Sequence, residues 1–242
     1  MPIKENFRAS LAGVRRDIRA LGSPERAKHS LRFFRTGPGE YGEGDRFLGL
    51  TVPEMRAIAN QYRDLGHDEV LQLLQSPWHE DRLVALFLLV DGYRRGDDAR
   101  REKIHRAYLA NTRRINNWDL VDMSAGQVVG AHLDVSEISL LEKLARSKDL
   151  WERRIAIVAT FHFIKEHQLT PTLRIAEMLL DDGHDLIHKA VGWMLREVGK
   201  KDRRILDRFL ARHYRAMPRT MLRYAIERHP EPVRKRYLAG TI

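Results

Sequence analysis

Cysteine is absent from the 242 residues. That excludes disulfides and thiolate metal centres and suits a reducing, cytoplasmic setting. Runs alternating at period two are absent as well, which removes the pattern of half-buried strands. Long apolar runs are scarce, and the one through Val84 to Val90 is far short of a membrane span. The N-terminal stretch MPIKENFRASLAGVRRDIRALG carries charges throughout and has no apolar centre, so it does not read as a signal peptide. Neither a G-x-S-x-G elbow nor a P-loop occurs.

Acidic charge is in short supply at one end. The net charge is +10. From Arg196 onward there are 14 Lys and Arg against 5 Asp and Glu, a local net of +9, so the rest of the chain is close to neutral. A basic end of this kind favours a polyanion, with nucleic acid ahead of a membrane surface.

The period that is present is helical nearly everywhere. In HEDRLVALFLLVDGYRRG apolar residues recur at three and four through Leu83, Leu86, Phe87 and Val90, and RRIAIVATFHFI and HKAVGWMLREVG read the same way. Stops are well marked at Gly22-Ser23-Pro24, Ser76-Pro77, Gly96-Asp97-Asp98, Asp182-Gly183 and Met217-Pro218. Pro24 and Pro53 stand where a first helical turn tolerates them. About a dozen helices are expected. A weak repeat starts at Trp78, Trp118, Trp151 and His184, with spacings of 40, 33 and 33 residues. Such periods suit stacked helix pairs that bury their apolar faces on one another. The expected fold is all-α: a HEAT-like or armadillo-like α-solenoid of antiparallel helix pairs, one domain over 1–242, with a concave basic groove. A compact non-repeat helical bundle is the structural alternative.

The segment RTGPGEYGEGDRFLGLTVPEMR breaks the pattern. Gly37, Gly39 and Gly42 fit G-x-G-x-x-G, but no strand precedes them, no helix opens at the third glycine, and Glu40 and Glu43 would repel phosphate. A mobile loop between helices is expected, with DNA contact a lesser possibility.

Candidate chemistry gathers at NNWDLVD. Trp118 and Asp122 stand at i and i+4, so a helix places them on one face. Asp119, Asn116 or Asn117 would cap the start of that helix. A packed Trp and a solvated or Arg-paired Asp is the plain alternative. Arg153 and Arg154 follow Trp151 and point about 100° apart, so one could meet a phosphate; the alternative is a salt bridge to Glu152 or Asp149. Lys189 and Trp193 again stand at i and i+4, which suits a sugar–phosphate chain or an ordinary cation–π pair. His184 and His188 have metal-ligand spacing, but no third ligand is evident, and neither a metal nor a cofactor is expected.

Taken together these positions resemble the AlkD-type DNA alkylation repair proteins, the HEAT-like-repeat DNA glycosylases. The resemblance runs from about Phe33 to about Lys200. It is anchored by FLGLTVPEMR (47–56), NNWDLVD (116–122), WERRIAIV (151–158) and HKAVGWMLREVGK (188–200), and the last forty residues match only loosely. It implies that Trp118 and Asp122 face the lesion, that Arg154 and Trp193 are site residues, and that N3- and N7-alkylated purines are excised from duplex DNA without base flipping. A family tyrosine falls on Phe33, which lacks the hydroxyl, and the glycine-rich loop is longer than in the best-known members.

The chemistry fits such a site. An N3- or N7-alkylated purine is already cationic and leaves without protonation. As its glycosidic bond stretches, the sugar approaches an oxocarbenium ion, and a fixed carboxylate stabilises that charge most in the transition state. Asp122 would do so and position the attacking water, while the indoles of Trp118 and Trp193 would hold the cationic nucleotide. A monomer is expected, because DNA must occupy the groove. It would be cytoplasmic, and nucleoid-associated when bound. Two other readings are a non-catalytic protein that binds damaged or branched DNA, which has no requirement for Asp122, and a HEAT-type protein scaffold.

Overall fold

The computed structural model describes residues 9–242; the first eight, which begin the stretch read as no signal peptide, lie outside the described residues. Among the described residues no strand forms, and a single isolated bridge joins Arg46 to Trp78. No described helix is long and apolar enough to cross a membrane. The secondary structure is all-α, consistent with the α-solenoid class read from the sequence. By packing the chain divides into two compact units, one ending at Ser124 and one spanning Ala125–Ile242.

The first unit holds α1 (Leu11–Ala20), α2 (Pro24–Phe33), α3 (Val52–Gln61), α4 (His67–Leu74), α5 (His79–Arg95), α6 (Asp98–Ala110) and the short α7 (Trp118–Asp122). Its centre is α5, which packs on α3, α4 and α6. It is buried on nearly every side from His79 to Leu89, as expected of a helix surrounded by others. The stops fall where the sequence puts them. Ser23 caps α2 at the Arg26 amide, with Pro24 in the first turn. Thr51 and Glu54 form a reciprocal capping box ahead of α3, and Asp97 caps α6 at the Arg100 amide. Each such cap satisfies a backbone donor that the helix itself leaves open, typically for about 1 kcal/mol. Helix α2 differs from the others in burying no residue at all.

The second unit holds α8 (Ala125–Val128), α9 (Ser139–Ala145), α10 (Leu150–Ala159), α11 (Phe161–Lys165), α12 (Thr170–Met178), α13 (Asp185–Lys201), α14 (Arg203–His213), α15 (Arg219–Ala225) and α16 (Glu231–Ala239). Here α13 is central and packs on α10, α14 and α15. It buries Ile187, Ala190, Val191, Met194, Leu195 and Val198, the three-and-four spacing of one face. Gly192 lets α15 approach closely, because a Cβ there would lie 2.5 Å from the Met221 carbonyl oxygen. The helices outnumber the expected dozen because some segments break. Thr160, for example, ends α10 by donating its hydroxyl to the Ile157 carbonyl at 2.6 Å, and α11 starts beside it.

The glycine-rich segment is a loop between α2 and α3, as expected, and its end is fastened to α5. The buried Glu80, in the first turn of α5, accepts the amides of Leu48 at 2.9 Å and Gly49 at 2.7 Å. Gly49 takes φ 86°, and a Cβ on it would lie 2.3 Å from the Ser23 carbonyl oxygen. Helix α2 hangs from the same stretch: Ser23 donates to the Leu48 carbonyl at 2.7 Å and Arg26 to the Gly49 carbonyl at 2.6 Å. Glu40 and Glu43 accept the Gly37 and Gly39 amides, each at 2.9 Å. The donors that a phosphate would need are therefore taken by the loop's own acids, in line with the rejected dinucleotide reading.

Candidate active site

Helix α7 is one turn long, and its first and last residues are the two candidates. Trp118 and Asp122 are both half-buried, while Leu120 and Val121 between them are fully buried. Asn117 caps the turn: its side-chain oxygen accepts the Trp118 amide at 2.8 Å, and its amide group donates to Asp45 at 3.2 Å. Asp119 accepts the Leu120 amide at 2.8 Å. Behind the turn, Ser124 donates to the Leu120 carbonyl at 2.6 Å and meets the Tyr108 hydroxyl at 2.9 Å. Burial raises the pKa of that hydroxyl, and the nearby Asp122 charge adds to the effect.

Trp118 lies in an aromatic group from α2 and the glycine-rich segment. Phe34 stacks on it with ring centroids 5.2 Å apart, and Phe33 meets it edge-on at 5.7 Å. Phe34 also stacks on Phe47, which stacks on His79. Phe33, where the resemblance places a tyrosine, is 57% exposed. Its carbonyl accepts the Tyr41 hydroxyl at 3.5 Å.

Under the aromatic group lies an ion cluster that sequence reasoning missed. His79 is 2% exposed and contacts two carboxylates, Asp119 through Nε2 at 2.7 Å and Asp45 through Nδ1 at 3.2 Å. Arg82 donates to the other oxygen of Asp45 at 2.5 Å. Burial by itself would strip the proton from His79, but the two carboxylates outweigh it and raise the pKa to about 9. Burial also opposes the charge on Asp45, yet the His79 bond and the Arg82 charge win and hold its pKa below the usual value. Beside the cluster, Asp81 takes a two-pronged pair from Arg19 at 2.6 and 2.8 Å and the Ser76 hydroxyl at 2.6 Å. The four consecutive polar residues His79, Glu80, Asp81 and Arg82 are thus all buried and all bonded.

Arg56, in α3, was also missed. It is exposed, its guanidinium lies 4.3 Å from the Phe87 ring centroid, and it approaches the Met123 sulfur, one residue past Asp122, at 3.4 Å.

The other sequence candidates sit in the second unit. Trp193 on α13 is half-buried against Phe161, with centroids 5.8 Å apart. Lys189, one turn earlier, pairs with Asp185 at 2.7 Å. Arg154 is 5% exposed and donates to the Leu186 carbonyl at 2.6 Å, tying α10 to the first turn of α13. Arg153 pairs with Asp182 at 2.6 Å, not with Glu152 or Asp149, and also donates to the Ser147 and Lys148 carbonyls. His184 caps α13 by accepting the Leu186 amide at 3.1 Å, and His188 bonds the Asp182 carbonyl. The two histidines of the H-x-x-x-H pattern therefore serve the start of a helix.

Comparison with known proteins agrees with this architecture. No curated protein matches the chain significantly. A predicted DNA alkylation repair enzyme from Enterococcus faecalis has a similar fold, with a TM-score of 0.68 at 17% identity over 87% of this chain and 97% of that one. The sequence model of the DNA alkylation repair enzyme family matches residues 14–229. The chain belongs to the DNA alkylation repair enzyme family.

Proposed function

We propose that the protein is a DNA glycosylase that hydrolyses the N-glycosidic bond of cationic N3- and N7-alkylated purines in duplex DNA, without extruding the base into a pocket. The observation that carries this reading is the Trp118–Asp122 turn: an indole and a carboxylate on one face, both half-buried, on a turn anchored from below by Asn117 and Asp119. Trp118 would lie against the damaged nucleotide, its electron-rich face toward the cation. Asp122 would stabilise positive charge on the sugar as the bond to the base lengthens, and would orient the water that attacks C1′. A cationic base needs no general acid, so one carboxylate suffices. Neutral lesions such as uracil would leave poorly.

DNA would be held by Arg56, by Lys189 and Trp193, and by the arginines of the last helices. Arg153 and Arg154, each bonded inside the second unit, would also fix the start of α13, with any remaining guanidinium donors turned to phosphate. Binding of this kind weakens steeply with salt.

The test is release of N7-methylguanine from duplex DNA by the wild type and by Asp122→Asn. Loss of release on that substitution, with affinity for undamaged duplex retained, is the expected result. Undiminished release by Asp122→Asn would remove the catalytic assignment, and efficient uracil release would overturn the mechanism.

A further inference from the structure

Four ionisable side chains are enclosed beneath Trp118. Asp45 comes from the segment before α3, His79 and Arg82 from the first turn of α5, and Asp119 from α7; none is more than 8% exposed. Their order is Arg82–Asp45–His79–Asp119. Both ring nitrogens of His79 face carboxylate oxygens. A neutral imidazole donates from only one nitrogen, whereas an imidazolium donates from both. The geometry therefore calls for a protonated ring. Two carboxylates then face two cations and the cluster is neutral. Without that proton one enclosed negative charge is uncompensated, a costly state in a dry interior. The charged groups that bear on the ring are Asp119, Asp45 and Arg82; Phe34 and Phe47 also pack against it.

The cluster also has a direction. Asp119 spends one oxygen on His79 and the other on the Leu120 amide. Asp45 spends one oxygen on Arg82 and the other on both His79 and Asn117. The cluster therefore reaches the turn that carries Trp118 and Asp122 at two points, directly at Asp119 and through Asp45 at Asn117.

The geometry points to His79 as a positioning residue: its doubly donating ring fixes α7, and so sets the placement of Trp118 and Asp122 for base excision without touching DNA. This inference rests on the glycosylase reading above. It requires that excision, not affinity for undamaged duplex, depend on the charge balance of the cluster.

The test uses the full chain with His79→Gln and with the pair His79→Gln/Asp119→Asn. The single substitution removes one cation and leaves an unbalanced carboxylate; the pair restores neutrality. Three quantities are read: single-turnover release of N7-methylguanine, Kd for undamaged duplex, and amide hydrogen exchange at residues 117–123 compared with α13. His79→Gln is expected to slow release about 100-fold, the scale of a misplaced catalytic group, with Kd unchanged. Exchange protection should be lost at 117–123 and kept in α13, and the pair should recover most of both losses. Wild-type release by His79→Gln would overturn the inference, as would parallel loss of release, binding and α13 protection without recovery in the pair. Where His79→Gln does not fold, the neutral pair decides: near-wild-type protection at 117–123 supports the inference and its absence overturns it. If the wild type itself releases no base, the glycosylase reading fails separately, and the exchange measurement still decides whether His79 fixes the turn.

Discussion

Phe34 and Trp118 lie nearly face to face, 27° from parallel with centroids 5.2 Å apart, while Phe33, edge-on to both rings, is 57% exposed. Two neighbouring phenylalanines therefore have separable roles. Phe34→Ala should lower stability by about 2 kcal/mol, since it removes a half-buried ring from a stack. Phe33→Ala should change stability by less than about 0.5 kcal/mol while slowing release of alkylated base. Urea denaturation and a base-release assay on the two variants separate these effects.

Glu80 is a second point of leverage. Its carboxylate accepts the Leu48 amide at 2.9 Å and the Gly49 amide at 2.7 Å, while the carbonyls of the same two residues hold α2. Glu80→Gln keeps the shape, removes the charge and turns one acceptor into a donor facing N–H groups. A loss of about 2–4 kcal/mol is expected, from hydrogen bonds to a charged acceptor inside the fold. The segment 37–50 should become open to proteases before the rest of the chain. Limited proteolysis followed by mass spectrometry locates the first cut.

The ion cluster sets a pH window. The pKa of His79 is raised to about 9 in the fold. Its contribution is complete below the unfolded value near ~6.5 and is lost as pH rises through about 9, a change on the order of 3 kcal/mol. Asp45 is shifted down, so its contribution is present above the ordinary value near ~3.9 and is lost as pH falls through its folded pKa. Stability should therefore be greatest between those two ordinary values. Thermal melts across pH check this, and the alkaline decline should be flatter in His79→Gln.

Two arginines should respond differently to salt. Arg56 is exposed, so Arg56→Ala should weaken DNA binding and lower the slope of log K against log salt by about 1. Arg154 is buried and bonded to the Leu186 carbonyl. Arg154→Ala should lower stability and change the slope less than Arg56→Ala does. Binding titrations at several salt concentrations distinguish the two.

Much of this was legible in the sequence, for reasons that also mark where it was not. Helical period, caps and stops are local, so the all-α class and the starts of α2, α3 and α6 follow from neighbouring residues. The shared face of Trp118 and Asp122 is local as well. The ion cluster is not. A run of His, Glu, Asp and Arg at the start of a helix reads as a solvated end favoured by the helix dipole, and its partners Asp45 and Asp119 lie 34 and 40 residues from His79. Nothing near His79 announces them. The bond from Arg154 to the Leu186 carbonyl was likewise invisible, because adjacent arginines differ only in which neighbour they meet. The end of the glycine-rich loop, at Leu48, is held by a glutamate more than thirty residues away, which the neighbouring residues do not announce.

The suspension of α2 has a practical corollary for protein engineering. That helix buries nothing of its own and is borne by the strap at Leu48 and Gly49, which Glu80 clasps from beneath. Anyone exchanging this corner between relatives must move three separated pieces together: the helix, the strap with its glycine, and the glutamate. A chimera that takes the first two without the third would present Phe33 on a hinge.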